Sequence, residues 1–265
     1  MTRLPFIASV LLLFNMVLTF VNPTIADDIL INRINTAINS PSRSENDKIR
    51  DVNSHAAQVL DFFGLKKGMT VLDLMAGGGY YTELLSIAVG IEGKVFTQNT
   101  IMGLRMRNGA AQKAIDKRLA RNRLDNTELW VYEFNDLNLD NQIDLVTLVL
   151  NFHDLYIFTG EQGVIQSLEQ VIATLKPGGI IGLVDHIGLS RNDNAALHRI
   201  DPLIIENLLI RAGFVDINTS NLLRNPDDDH LLHVFDPAIR GNTDRIVIRA
   251  VKPPHQDFKL SPVFQ

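Results

Sequence analysis

Two acid–imidazole pairs are the parts of this chain best suited to chemistry: His153-Asp154 and Asp185-His186. Each follows an apolar run, Ile143–Leu150 in the first case and Ile180–Val184 in the second. Imidazole changes charge near neutral pH, and a neighbouring carboxylate tunes it, so either pair could take a proton from a reacting group. His153, Asp154 and His186 are the catalytic candidates. With Asp185, His198 and His230 they also raise a metal question, because imidazole with carboxylate suits zinc, iron or manganese. The candidates are scattered, and no His-x-x-x-His pair lies on one helix face, so no metal is expected. The plainer readings are a helix cap for Asp154 and a structural hydrogen bond for His153.

A second feature is backbone chemistry. Val71-Leu72-Asp73-Leu74 is a buried-strand pattern, Ala76-Gly77-Gly78-Gly79 a turn, and Tyr81, Leu84, Leu85 and Ala88 recur at helical spacing. Strand, glycine turn and helix let a ligand sit against bare main chain at a helix N-terminus. Asp73 could bond the turn amides or a ligand's amino group. A dinucleotide fits less well: Gly77-x-Gly79-x-x-Thr82 lacks its third glycine, and no acid ends the next strand at Phe96-Thr97-Gln98-Asn99.

The bulk properties narrow the setting. Phe6–Val21 is an apolar run after Arg3, and Thr24-Ile25-Ala26 is a small-residue cleavage site, so residues 1–26 read as a secretory signal peptide, with an uncleaved N-terminal anchor as the alternative. The expected location is therefore outside the cytoplasm, in the periplasm or anchored facing it. The net charge of −5 at pH 7 gives no general attraction to nucleic acid. Cysteine is absent, which excludes disulfides, thiolate metal sites and a cysteine nucleophile. Arg105, Arg107, Lys113, Lys117, Arg118, Arg121 and Arg123 face only Asp116 in their segment. This is either a solvated helix face or a weak docking surface for anionic lipid or an anionic substrate.

These groups need a scaffold. Residues 27–53 read as a polar N-terminal extension, 54–252 as one α/β domain and 253–265 as a tail. Ala56–Phe63 predicts a helix stopped by Gly64. Strands are predicted at 71–74, 94–98, 128–134, 143–150, 180–184, 214–219 and 245–251. Between them lie helices over 103–124, over 164–175 and after the Asp201 cap with Pro202. Alternating strand and helix implies a parallel, doubly wound sheet. Residues 221–244 carry no helical pattern, so the last two strands are expected to be antiparallel. The acidic Asp227-Asp228-Asp229-His230 could cover a substrate pocket or be plain surface. Arg240, Asp244 and Arg245 could be ion pairs or grip an anion.

Together these strings resemble a class I S-adenosylmethionine (SAM)-dependent methyltransferase, with a Rossmann-like seven-stranded sheet whose last strand is antiparallel. The carriers are Ala76–Leu84, Asn151-Phe152-His153-Asp154-Leu155-Tyr156, Leu175-Lys176-Pro177-Gly178-Gly179 and Val184-Asp185-His186. Further carriers are Leu197–Asp201, Leu223–Pro226 and Arg240–Arg245. The details look most like an exported, uncharacterised bacterial branch. The resemblance implies SAM as cofactor, held by Asp73, Ala76, Gly77, Gly78, Gly79, Asn99, Asn135, Asp136 and Asn151. Asp136 would meet adenine, Asn151 the methionine part, and Asn99 stands where the family has an acid for the ribose. Met75 replaces a family glycine, so a left-handed backbone there would be strained. The implied activity is methyl transfer to a small-molecule or macromolecular acceptor that the sequence does not name. The alternatives are a non-catalytic ligand-binding module on the same fold and a metal-assisted hydrolase or lyase. Oligomeric state is not indicated.

Overall fold

The computed structural model describes residues 23–254. Residues 1–22 of the predicted leader and 255–265 of the predicted tail lie outside them. The apolar runs form β1 (Thr70–Leu74), β2 (Lys94–Asn99), β3 (Thr127–Val131), β4 (Ile143–Val149), β5 (Leu175–His186), β6 (Val215–Ser220) and β7 (Arg245–Val251). They build one seven-stranded sheet in the order β3-β2-β1-β4-β5-β7-β6. Pairs from β3 to β5 are parallel, and β7 runs antiparallel between β5 and β6. This is the expected topology.

The helices are α1 (Pro23–Ile38), α2 (Glu45–Asp51), α3 (Ala56–Phe62), α4 (Tyr80–Val89), α5 (Ile101–Leu119), α6 (Phe152–Thr174), α7 (Asn194–Leu197) and α8 (Pro202–Ala212). Successive strand residues point to opposite faces. Val71, Leu145 and Val247 therefore pack with Leu60 and Leu84 from α3 and α4, while Leu72, Val146 and Ile248 pack with Leu168 and Leu208 from α6 and α8. The segment predicted as an extension contributes to this core: Leu30 and Ile34 of α1 are buried in the first of these clusters. An ion-pair knot holds α2 down, with Arg43 on Asp51 and Arg118 on both Asp47 and Glu83.

Several boundaries differ from the sequence pattern. α5 begins at Ile101 and breaks at Met106–Gly109, where Arg107, Asn108 and Gly109 are left-handed. α6 begins at Phe152, further upstream than its periodicity indicates, and breaks at Gly160. β5 extends back through Lys176-Pro177-Gly178-Gly179, because Leu175 already pairs with Ile143 and the strand bulges before Ile180 rejoins at Leu145. β3 stops at Val131, short of Phe134. No helix occurs within 221–244, as expected.

Candidate functional site

The glycine turn leaves β1 in a left-handed conformation. Met75 takes φ +51°, as its place in the motif required, and Gly77 takes +56°. β2 holds the bend from behind. Met75 N donates to Gln98 Oε1 at 2.9 Å and Ala76 N to Gln98 O at 2.9 Å. Gly77 N donates to Asn99 Oδ1 at 2.8 Å, while Asn99 Nδ2 donates back to Gly77 O at 3.2 Å. Asn99 is buried, with both polar atoms on Gly77. The residue standing at the ribose position thus clamps the loop instead of presenting a free amide.

The three glycines do different things. A Cβ on Gly77 would meet nothing within 4 Å, so this backbone borders open space. A Cβ on Gly78 would lie 2.9 Å from Ala114 Cβ, and one on Gly79 2.6 Å from Ile115 Cδ1. Those two glycines admit α5 to the loop, and Arg118 Nε then donates to Gly78 O. The close-approach reading is corrected for Gly78 and Gly79, whose missing side chains make room for α5; Gly77 faces open space. Asp73 is likewise turned inward. Its oxygens accept from Thr82 Oγ1 at 2.6 Å and Thr147 Oγ1 at 2.9 Å, not from turn amides. Burial pushes its carboxyl up to about 6 against those hydrogen bonds.

β4 lies beside β1, so its carboxyl end adjoins the bend. Asn151 Nδ2 donates to Met75 O at 3.1 Å and to Val149 O, which ties the two strand ends together. His153 and Asp154 follow on the first turn of α6. Asp185 at the end of β5 is fully buried. Its Oδ2 accepts from His153 N, and its Oδ1 pairs with His153 Nδ1, both at 2.7 Å. One carboxylate thereby caps the helix and fixes the imidazole with Nδ1 toward Asp185 and Nε2 away from it. Burial draws His153 down, but the charge and hydrogen bond of Asp185 and the charge of Asp154 outweigh it, so the net shift is upward. Asp185 is held below its ordinary range: burial raises it, and the charge of His153 more than compensates.

His186 behaves differently. Its Nδ1 shares a 2.7 Å hydrogen bond with Thr243 Oγ1, and burial pushes it down to about 3 despite the charge of Asp185. A neutral imidazole with so low a pKa is a poor proton acceptor at neutral pH, which corrects its place among the bases. Asp154 makes no capping bond; Oδ1 lies 3.4 Å from His153 Nε2 and 3.1 Å from His198 Nδ1. His198 reaches this point because Ile200 bridges Ile187 and because the adjacent Arg199 is buried on Asp228. The sequence pattern had placed His198 in the metal question but not in the site. Its position depends on a bridge between segments that sequence periodicity does not encode, and its only local signal was the Leu197–Asp201 string.

The remaining predicted residues fall outside this arrangement. Asn135 and Asp136 are exposed in the turn after β3, and Asp136 Oδ1 accepts from Asn138 Nδ2. The turn joins the site indirectly, through Gln98 Nε2 donating to Tyr132 O. Asp228 and Asp244 are buried structural ions: Asp228 is paired with Arg199, and Asp244 with Arg224 and His230. Of the basic segment, Arg118 is buried in the α2 knot and Arg123 pairs with Glu83, so the exposed surface is narrower than its sequence.

A family model described as protein-L-isoaspartate(D-aspartate) O-methyltransferase matches residues 38–127, the part that carries the glycine bend. A ubiquinone/menaquinone biosynthesis C-methyltransferase, UbiE of Idiomarina loihiensis, is 24% identical over 188 residues, covering 68% of this chain and 69% of that protein. A SAM-dependent methyltransferase from Aquifex aeolicus superposes with a TM-score of 0.55 at 21% identity, over 79% of this chain and 99% of that one. A Bordetella parapertussis structure described as a possible exported protein gives 0.51 at 16% identity, over 77% and 68%. The chain thus has the fold of class I SAM-dependent methyltransferases and is similar to them in sequence around the glycine bend.

Proposed function

We propose that this chain moves a methyl group from SAM to an acceptor held at the carboxyl ends of β4 and β5. The observation that carries this reading is the open left-handed bend at Gly77, joined through Asn151 to the His153–Asp154 cluster. The residues present fit the cofactor: Gly77 borders open space just ahead of α4, and Asn151 Oδ1, which accepts no hydrogen bond among the described residues, is free to meet an ammonium group. SAM supplies a sulfonium methyl already activated for in-line displacement, so the protein's main task is alignment. Gly77 and Asn151 fix the cofactor's position relative to β4. Asp185 orients His153, and His153 Nε2 with Asp154 receives the acceptor's proton where it has one. Ile101 and Met102, half or more exposed at the start of α5 after Thr100, offer apolar surface close to Asn99 in the sequence.

The acceptor is a compound small or extended enough to reach the strand ends, and the site residues do not select a smaller class. Calorimetry with SAM and with its demethylated product tests the reading. Binding of both is expected, and weakening by Gly77→Val is expected. No heat at roughly millimolar ligand would leave a methyltransferase fold without its activity.

We also place the mature protein outside the cytoplasm. The support is the apolar run Phe6–Val21 with its small-residue boundary. α1 begins at Pro23, so cleavage after Ala26 would trim only its first turn. Among the described residues no helix is long and apolar enough to cross a membrane. N-terminal sequencing of protein from fractionated cells tests this; an intact Met1 in the cytoplasmic fraction would overturn it.

A further inference from the structure

The geometry points to a divalent metal site formed by His153 Nε2, Asp154 Oδ1 and His198 Nδ1. These three atoms lie within 4.8 Å of one another. Asp154 Oδ1 stands 3.4 Å from His153 Nε2 and 3.1 Å from His198 Nδ1. Ligand atoms bound about 2.1 Å from one ion stand roughly 3–4 Å apart, so the observed spacing needs little adjustment.

The hydrogen bonding says the same. Asp154 Oδ1 and His198 Nδ1 are both buried and neither makes a hydrogen bond, although they face each other. Buried polar atoms are nearly always satisfied, and leaving two converging ones unpaired is costly. A cation at their meeting point satisfies both. His153 Nε2 likewise makes no hydrogen bond, because its ring is held by Asp185 through Nδ1. A carboxylate behind an imidazole whose other nitrogen is free is the usual outer support of a metal-bound histidine. His198 is held in a left-handed backbone, φ +53°, which costs about 1–3 kcal/mol and persists only when the surroundings enforce it. The enforcement comes from Arg199, bonded through Asp228, Ile187 O and Leu232 O.

The nearby imidazoles lie outside this converging group: His186 Nδ1 bonds Thr243, and His233 Nδ1 accepts from Phe235 N. Two imidazoles and one carboxylate leave coordination positions open, the pattern of catalytic rather than structural sites. Zinc is the natural probe. The site does not depend on the methyl-transfer reading, but one use of it does: an acceptor hydroxyl coordinated to the ion would lose its proton to solvent more easily. His153 Nε2 would then act as a ligand, not as a base.

The test uses untagged full-length protein, stripped with a chelator, loaded with Zn²⁺ and dialysed against metal-free buffer. Metal is counted by plasma mass spectrometry. One retained equivalent is expected in the wild type, with at least a tenfold loss in Asp154→Asn and in His198→Gln. Asp185→Asn, which keeps an acceptor but no charge, should weaken retention about 10–100-fold. Among the described residues the Asp154 side chain makes no hydrogen bond, so Asp154→Asn should melt like stripped wild type, and zinc should raise the melting temperature of the wild type alone. No retained metal, or equal retention in Asp154→Asn and His198→Gln, overturns the site. SAM binding, measured in parallel on stripped protein, separates the two readings: SAM bound without metal sinks only the metal site, and metal retained without SAM sinks only the methyl transfer.

Discussion

His198 and Arg199 are neighbours in sequence and opposites in structure. Arg199 is fully buried, and each of its nitrogens has a partner: Asp228 takes a bidentate pair, and Ile187 O and Leu232 O take the rest. Asp228 in turn accepts from Asp244 N and His230 N. Nothing in that knot is left for a ligand. One residue earlier, His198 Nδ1 faces Asp154 Oδ1 with neither satisfied. Both clusters are polar, one fully buried and the other half-buried, yet only the buried one is closed. A polar cluster that completes its own hydrogen bonds is read as scaffold, and one whose buried atoms are convergent orphans is read as a site.

The closed knot should give the largest effect. Arg199→Met leaves Asp228 charged and unpaired, and breaking a buried pair from one side costs about 3–5 kcal/mol. Denaturant unfolding should show that loss, together with loss of the order at His198. A change under about 1 kcal/mol would mean the knot is not what holds His198. The glycine bend gives the next effect. Gly79→Ala meets both a left-handed φ and Ile115, so strain of about 1–2 kcal/mol combines with overpacking of about 1–3 kcal/mol. Gly77→Ala carries only the strain, because its Cβ would point into open space. Melting curves should therefore separate the two, while SAM calorimetry should be more sensitive at Gly77.

Asp73 supplies a pH prediction. Its folded carboxyl is pushed up to about 6, above the ordinary value of 3.8. As pH rises, the unfolded chain releases this proton first, so stability falls across roughly pH 4 to 6 and levels off above it. Relative to Asp73→Asn, the wild type should lose at most about 3 kcal/mol over that window. Parallel pH profiles of the two proteins would show the burial reading wrong. Smallest of all is the effect at the basic surface. Changing Arg105, Arg107, Lys113, Lys117 and Arg121, all exposed, to Gln should move stability by no more than about 0.5 kcal/mol. Loss of binding to anionic vesicles in that variant would support a docking role, and unchanged behaviour would leave a solvated face.

The strands and the antiparallel end were legible because buried parallel strands are written as apolar runs, and because 221–244 lacks a helical period. The strain at Met75 was legible for the same kind of reason: a non-glycine residue occupied a position where the bend requires positive φ. What escaped the pattern were directions. Nothing local says that Asn99 turns back onto Gly77, that Gly78 and Gly79 make room for Ala114 and Ile115, or that Asp73 is spent on two threonines. His198 escaped because its place is set by a bridge at Ile200 and an arginine anchored some thirty residues away on Asp228. The break in α5 falls at Arg107-Asn108-Gly109, where asparagine and glycine tolerate left-handed backbone, yet the surrounding helical period concealed it.

The grip of β2 on the bend has a thermodynamic consequence. Met75, Ala76 and Gly77 each have their amide already engaged by Gln98 or Asn99. Freezing a residue's backbone costs about 1–2 kcal/mol, and here that cost falls on folding and not on ligand capture. The cradle is rigid before anything arrives. These three amides should accordingly exchange with deuterium as slowly as the central strands, whether or not a nucleoside is present.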